Sequence, residues 1–276
     1  MAKKLIRIGG KLLRYGDKLL GERVKVLDPV LANNTWADIQ KGLRNGNPQG
    51  WEVGDTKPVT LSNGDTYTAR LVDLNKGRYQ DTNNVDNVAV FEFVELITGI
   101  GGRAMNSAQK TYDGITSLTA GGWLSSDLRA SMNGSSILGL FPEDLTSVML
   151  NTKVGSAKYG GSGQADTTNG GVIIYSDGDK VFVGGASEYF GAGANQSYYR
   201  AYDTERTLYP QWDYYKTHDT NADRVKQELG VTYGSSYWNR SPNYKLIQSF
   251  CDITSGGSAI NSDAYETFSL APCFCL

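Results

Sequence analysis

The sequence predicts an α+β fold, in which short helices accompany antiparallel strands. Apolar residues make up 39% and charged residues 20% of the 276-residue chain, which is enough to build a packed core. Glycine accounts for 33 of the 276 residues, about 12%, against an average usage of about 7%. Proline is scarce, at 7 residues. This balance is typical of a turn-rich fold that contains strands. Short helical and alternating strand patterns both occur along the chain.

The N-terminal segment differs from the rest in charge. Residues 1–25 carry eight Lys and Arg against two acidic residues, a net charge of +6, while the remainder carries −8. Turn signals at Gly9-Gly10 and Gly16-Asp17 predict small hairpins, whose apolar side chains need cover from the body, a sister subunit or another protein. We therefore predict a basic docking arm over residues 1–30. Its assembly residues are Ile6, Ile8, Leu12, Leu13 and Tyr15.

Two alternatives for this arm stay open at the level of sequence. It could be an ordinary first sheet of the domain with solvated lysines, or it could bind nucleic acid. The acidic body and the lack of a recognised nucleic-acid motif favour no nucleic-acid partner. Charges every few residues also predict neither a signal peptide nor membrane insertion.

Catalytic and metal chemistry has few candidate residues. His218 is the single histidine, which nearly excludes a His-based dyad or a multi-His zinc site. Cys251, Cys273 and Cys275 are expected to be free, buried thiols. No phosphate-binding glycine loop with its lysine is present. We expect no cofactor and no metal.

The first half of the body predicts one helix and a hairpin. Thr35 should cap a helix from Trp36 to Leu43, which Asn45-Gly46 ends. Strands are expected on either side of a turn at residues 62–65, the second of them over Thr66–Leu74. Another strand is predicted over Val88–Leu96.

The second half predicts short elements separated by long loops. Ser125 or Ser126 should cap one helix, and Pro142 should open another at its first helical position. Residues 155–171 read as a loop, and 172–175 with 180–183 as a strand pair. Residues 191–237 lack periodicity, which is typical of binding loops. Strands should follow around 246–253 and 267–276.

Several separated phrases resemble one family. They are Trp36-Ala-Asp-Ile39, Trp51-Glu-Val-Gly-Asp55, Gly122-Trp123-Leu-Ser125 with Arg129 and Met132, Phe141-Pro142-Glu-Asp-Leu145, Asp179-Lys-Val-Phe-Val183 with Ser187-Glu188, Tyr237-Trp238-Asn239-Arg240-Ser241-Pro242 and Ala271-Pro272-Cys273-Phe274-Cys275-Leu276. They resemble a domain family of unassigned function in phage and prophage proteins. In its C-terminal half this family is similar to the C-type-lectin-like variable proteins of diversity-generating retroelements, and the superfamily also contains formylglycine-generating enzyme-like domains.

The resemblance covers about residue 33 to the end, and it implies a C-type-lectin-like domain over residues 31–276. Its final strands would pack centrally, and its binding loops would lie at about 191–237. Cys273 departs from the family's usual ending, Pro-Ala-Phe. Arg240 stands where calcium-dependent lectins have an acidic ligand, so the calcium site does not carry over. We expect instead that Trp238 packs and that Arg240 anchors its strand through carbonyl or carboxylate acceptors.

Aromatic residues concentrate between residues 198 and 215. They are Tyr198, Tyr199, Tyr202, Tyr209, Trp212, Tyr214 and Tyr215. Aromatic rings stack on sugar rings and also serve protein interfaces, so these residues are the predicted ligand-binding set. The alternative is that several of them fill the space beneath a long loop.

These observations lead to three functional hypotheses. The favoured one is a non-enzymatic bacteriophage virion protein of the tail, such as a tail fibre, or of the baseplate or capsid exterior, which presents a receptor-binding domain for host attachment. Its partners would be other virion proteins, through the arm, and a host-surface glycan or protein; a homo-oligomer, by analogy a trimer, is expected. The second is a purely architectural virion or decoration protein. The third is a formylglycine-generating-type enzyme, which would depend on a cysteine pair.

Overall fold

The structure is a computed structural model that describes residues 7–8, 11–12, 26–47, 49–74, 89–161, 172–191, 195–196, 199–200 and 203–276. For the strands at 7–8, 11–12, 195–196 and 199–200 it describes the backbone alone. Helices and strands alternate irregularly along these residues, and neighbouring strands pair antiparallel. The predicted α+β class is therefore confirmed.

The described helices are short, with the exception of the first. Their bounds are α1 Trp36–Arg44, α2 Asp127–Met132, α3 Glu143–Thr146, α4 Ala186–Phe190, α5 Asp203–Leu208, α6 Asp213–Thr217 and α7 Asn221–Arg224. The predicted caps of the first two are confirmed, because Thr35 and Ser126 each accept a hydrogen bond from a backbone N–H in the first turn. Pro142 differs slightly from its prediction, since it precedes α3 as the N-cap and is not its first helical residue.

The described strands form one four-stranded, one three-stranded and several two-stranded sheets. Their bounds are β1 Arg7–Ile8, β2 Lys11–Leu12, β3 Thr56–Thr60, β4 Thr66–Leu74, β5 Ala89–Phe93, β6 Arg103–Ala104, β7 Lys110–Tyr112, β8 Ile115–Ser117, β9 Gly155–Ala157, β10 Ile173–Tyr175, β11 Asn195–Gln196, β12 Tyr199–Arg200, β13 Tyr237–Pro242, β14 Ser249–Ile253, β15 Ala259–Asp263, β16 Thr267–Phe268 and β17 Cys273–Cys275.

The four-stranded sheet has the order β17-β5-β4-β3, so the end of the chain pairs with the strand that begins at Ala89. The predicted hairpin of β3 and β4 is confirmed, and Gly64 takes the left-handed φ of +92° that its turn requires. The three-stranded sheet has the order β13-β14-β15. The largest apolar cluster runs from Leu31 to Leu276 and includes residues of both sheets.

The four-stranded sheet has two chemically different faces. Phe91 and Phe274 stack on each other at 5.3 Å on one face, and Trp36 of α1 meets both rings edge-on. On the other face the strand register places Arg70 opposite Glu92, and Glu92 opposite Cys273. A helix therefore covers the aromatic face of this sheet, whereas the opposite face places charged side chains in the interior of the protein.

Two predictions for the middle of the chain are wrong, namely the loop that begins at residue 155 and the pairing of residues 172–175 with 180–183. Residues 172–175 do not pair with 180–183, because β10 pairs with β9, at the start of the predicted loop. Residues 180–183 contribute an isolated bridge from Phe182 to Cys273. The aperiodic region after residue 191 contains α5, α6 and α7, which are too short to produce a readable helical period.

Candidate functional site

The predicted aromatic set divides between regions that the structure describes and regions outside them. Tyr198 and Tyr202 lie outside the described residues, and Tyr199 is described only as backbone of β12. Tyr209, Trp212 and Tyr215 are buried, with exposures of 1%, 0% and 0%. These three are therefore not a surface for ligands. Tyr209 follows α5, Trp212 caps α6 and Tyr215 lies within α6, and all three rings enter the core, which is the space-filling alternative.

Tyr214 is the one partly exposed residue among the four aromatic side chains that the structure describes. Its ring contacts two neighbouring side chains. The Arg70 guanidinium is 3.8 Å from the centroid of the ring, and the His218 ring stacks parallel to it at a centroid distance of 4.1 Å. A cation over an aromatic face is attracted by the ring quadrupole. His218 thus takes part in a surface stack that holds the end of α6.

A buried acid, Glu92, organises the polar face of the four-stranded sheet. Tyr189 and Tyr215 donate hydrogen bonds of 2.6 and 2.8 Å to its two carboxylate oxygens. Arg70 and Lys226 each approach these oxygens to 3.2 Å. Glu92 is fully buried, so the four partners replace the hydration that the carboxylate loses.

Two cations, Arg70 and Lys226, share one carboxylate in this cluster. Burial alone raises the pKa of Glu92, but Lys226 and Arg70 lower it below its ordinary value, which keeps the carboxylate ionised. Burial lowers the pKa of Lys226, against the attraction of Glu92. The Lys226 ammonium also donates to the carbonyl oxygen of Phe93 at 2.6 Å. The cluster joins α4, α6 and the segment after α7 to β4 and β5.

Arg240 anchors β13 as the sequence predicts. Its guanidinium donates to the carbonyl oxygens of Gly155 and Val183, at 2.9 and 3.0 Å, and to the carboxylate of Glu188 at 2.6 Å. Both charged side chains are fully buried. Trp238 also packs as predicted, since its ring contacts Phe268 at 4.6 Å and its indole N–H donates to a carbonyl oxygen. The motif Trp238-Asn239-Arg240 therefore has a structural role.

Another buried acid, Glu205, attaches α5 to the neighbouring strands. Its carboxylate accepts hydrogen bonds from the backbone N–H of Ala157, at 3.0 Å, and from the Ser241 hydroxyl. Burial raises the pKa of Glu205, and the charge of Arg240 opposes this rise. The Tyr209 hydroxyl accepts a bond from the N–H of Gly155, where a Cβ atom would lie only 2.4 Å from that oxygen. A glycine is required at this contact.

Asp179 holds the loop between β10 and α4. Its carboxylate accepts bonds of 2.8 Å from the indole N–H of Trp123 and from Arg129, and one of 2.5 Å from Ser176. Burial raises the pKa of Asp179, and these three donors oppose that rise. Asp179 and Trp123 belong to phrases that carry the family resemblance, and the structure brings them together.

Cys251 lies in a different sheet from Cys273 and Cys275, which share one strand. Cys273 and Cys275 belong to the four-stranded sheet, whereas Cys251 belongs to the three-stranded sheet. All three are buried thiols outside any disulfide bond, and burial raises the pKa of the Cys273 and Cys275 thiols well above the usual range. A thiol that stays protonated is a poor nucleophile, so these positions give no support to a cysteine-based activity.

The described residues contain neither a metal-ligating cluster nor a membrane-spanning helix. No group of three or more His, Cys, Asp or Glu side chains is arranged to hold a metal ion in this part of the chain. No helix in it is long and apolar enough to span a bilayer.

The arm is described only in part. β1 and β2 pair antiparallel, with Arg7 opposite Leu12 and Ile8 opposite Lys11, so the first predicted hairpin is confirmed. Ile6, Leu13 and Tyr15 lie outside the described residues. The side chains of Ile8 and Leu12 are also outside the description, so their predicted contacts stay predictions.

Comparison with protein families gives one result. Residues 105–276, more than half of the chain, match a family described as "Domain of unknown function (DUF6273)". The chain belongs to this family. A search of curated proteins and a search of solved structures each gave no match.

The DUF6273 region does not account for the whole fold. Its last strand, β17, pairs with β5, which precedes the matched residues. Likewise Arg70 and Glu92 precede the match, whereas Tyr189, Tyr215 and Lys226 lie inside it. The buried cluster therefore joins the DUF6273 region to the strands before it, and β3, β4 and β5 supply three of the four strands of this sheet.

Sequence reasoning missed Glu92 and Lys226. A signal was present, because Glu92 stands alone in the apolar run Ala89-Val-Phe-Glu-Phe93. An acid at the centre of such a strand requires cationic or donor partners, since a lone buried carboxylate is very costly. The sequence does not say which of 27 Lys and Arg supply them.

Proposed function

We propose that this chain is a structural protein of a bacteriophage particle, on its tail, baseplate or capsid exterior. Residues 31–276 form a C-type-lectin-like domain that is displayed to the host surface, and residues 1–30 dock it on other virion proteins. The protein is assembled in the host cytoplasm as a homo-oligomer, for which a trimer is favoured.

One observation carries the non-enzymatic part of this proposal. Four charged side chains of the DUF6273 region, Arg240, Glu188, Glu205 and Asp179, are buried and bonded to backbone groups or to other side chains. Buried side chains whose polar atoms bond to other parts of the protein hold loops in place and are not exposed to a substrate. A rigid scaffold that fixes surface loops suits recognition.

The uneven charge supports docking through the arm. A segment of net charge +6 precedes a remainder of −8, and its first hairpin is too small to cover its own apolar residues. Oppositely charged surfaces of neighbouring virion subunits would attract it and fix its orientation. The phage setting itself rests on the resemblance of the motif phrases.

A purely architectural role is the second candidate. It is favoured by the burial of Tyr209, Trp212 and Tyr215, which removes three of the seven predicted ligand-binding aromatics from the surface. In that case the protein would stabilise the particle without a receptor.

Particle composition and adsorption test the two candidates together. Mass spectrometry of purified particles should detect the chain, and full-length protein added to host cells should reduce phage adsorption. A variant with Lys3→Glu, Lys4→Glu and Lys11→Glu should be left out of particles yet still compete for cells. A chain absent from particles overturns the proposal. A chain that is present in particles but does not compete supports the architectural role.

A further inference from the structure

A surface cleft of about 400 Å³ lies between α2, α3 and the segment that contains Lys180. It is formed by residues 133–135, by the stretch from Leu138 to Phe141 and by Glu143 and Thr146 of the single-turn helix α3. Sites for small molecules commonly fall in the range of roughly 300–1,000 Å³. None of its lining residues belongs to the predicted aromatic set between residues 198 and 215.

The lining of the cleft combines carbon surface with polar groups. Leu138 and Phe141 supply apolar atoms, whereas Ser135, Glu143 and Lys180 supply a hydroxyl, a carboxylate and an ammonium. Lys180 donates one hydrogen bond, 2.7 Å long, to the carbonyl oxygen of Thr146. An ammonium has three N–H donors, so two are left for a ligand.

The backbone at Lys180 is held in place by the side chain of Asn133, which also lines the cleft. Its amide oxygen accepts bonds from the backbone N–H groups of Lys180 and Val181, at 2.9 and 3.1 Å, and its amide nitrogen donates to the carbonyl oxygen of Val181 at 2.9 Å. These bonds attach the end of α2 to the Lys180 segment. A site formed before the ligand arrives loses less entropy on binding.

We propose that this cleft binds one or two sugar residues of a glycan. A sugar ring presents a C–H face that packs on apolar side chains, which Leu138 and Phe141 supply. Its hydroxyl groups both donate and accept hydrogen bonds, so they pair with the Glu143 carboxylate, the Lys180 ammonium and the Ser135 hydroxyl. This inference rests on the proposed function, since it names the ligand class that a displayed domain would recognise.

Saturation-transfer NMR on the full chain tests the site directly. The probes are glucose, galactose and N-acetylglucosamine, with the β-linked disaccharide of each, at millimolar concentration. At least one probe should give transfer. Glu143→Gln and Lys180→Met should each weaken its binding about tenfold, as expected for the loss of a hydrogen bond to a charged group. Asp144→Asn, on the same helix but outside the lining, should bind as the unmodified chain does.

The Lys180→Met substitution also removes the hydrogen bond to the carbonyl oxygen of Thr146, so thermal unfolding is used to check that this variant is folded. Glu143→Gln and Ser135→Ala lack such an internal contact and keep the test valid if Lys180→Met unfolds. The absence of transfer with every probe, or equal affinity in Glu143→Gln and Asp144→Asn, overturns the inference. If no sugar binds but the protein still competes for host cells, the inference fails and the proposed function stands. If a sugar binds but the protein does not compete, the inference stands and host attachment fails, which favours the architectural role.

Discussion

The hydroxyl group of Tyr215 donates a hydrogen bond of 2.8 Å to a carboxylate oxygen of Glu92, across 123 residues of sequence. This bond attaches α6 to the centre of the four-stranded sheet. It also gives a predicted recognition residue an internal role, and it links a residue of the DUF6273 region to a strand that precedes that region.

Tyr215→Phe should destabilise the protein, because it removes one donor from a buried carboxylate. We expect a loss of about 1–3 kcal/mol in the free energy of unfolding, measured with urea. Tyr214→Phe is the matched control, since the neighbouring side chain is half-buried and contacts Arg70 and His218 through its ring. That change should stay within about 0.5 kcal/mol. Equal effects of the two substitutions would contradict the assignment.

Glu92→Gln should be more harmful than Tyr215→Phe. It leaves the cations of Arg70 and Lys226 in the interior without their counter-charge, which costs about 3–5 kcal/mol for a broken buried pair. Chemical denaturation again measures the loss, with Glu266→Gln on the surface as control. If the Glu92→Gln variant unfolds at the same denaturant concentration as the Glu266→Gln control, the cluster does not stabilise the fold.

Arg240 and Glu188 should be strongly coupled. Arg240→Met leaves a buried carboxylate, and Glu188→Met leaves a buried guanidinium, so each single substitution is destabilising. The double substitution removes both charges and should cost less than the sum of the singles. A double-mutant cycle measures the difference, for which we expect roughly 1–3 kcal/mol. Strict additivity would mean that the 2.6 Å contact contributes nothing.

Asp252 should make stability fall as the pH rises. It lies in β14, opposite Trp238 and Ile260, with 1% of its surface exposed and one carboxylate oxygen without a partner among the described residues. Burial raises its pKa to about 7, and a hydrogen bond from Ser262 opposes the rise. An unfolded Asp has a pKa of about 3.9, so the folded state holds the proton more tightly. The stabilisation that comes from this tighter proton binding is fully present below about pH 4 and is lost as the pH rises through about 7.

Urea unfolding at pH 5 and at pH 8 checks this sign. The unmodified protein should be less stable at pH 8 than at pH 5 by about 2–3 kcal/mol, because at pH 5 the unfolded Asp is already ionised while the folded one is still protonated. Asp252→Asn should remove most of that dependence and stabilise the protein at pH 8. Asp177→Asn, at an exposed position, should retain it. A rise in stability with pH that Asp252→Asn leaves unchanged would contradict the prediction.

The cysteines should resist alkylation in the folded protein. All three are buried, and burial raises the pKa of the thiols of Cys273 and Cys275, so the reactive thiolate is scarce. Iodoacetamide labelling followed by mass spectrometry should find little modification before denaturation and three modified positions after it. Rapid labelling of the native protein at either position would return a cysteine-based activity to consideration.

The sequence by itself determined the local elements whose signals lie within a few residues. Thr35 marks the start of α1, and residues 62–65 form the turn of the first long hairpin, because capping and turn preferences act locally. It also determined that Arg240 anchors its strand, since an arginine within an apolar motif requires acceptors nearby. The class of fold followed from the same short-range patterns.

Only the tertiary structure decided which distant residues meet. β10 pairs with β9 and not with the next apolar run, and the Tyr215 helix packs on Glu92 and not toward solvent. Strand pairing and burial depend on contacts between segments far apart in the chain, whose total free energy no local pattern contains. For the same reason the seven aromatics looked alike in the sequence, while Tyr209, Trp212 and Tyr215 entered the core and Tyr214 stayed at its edge.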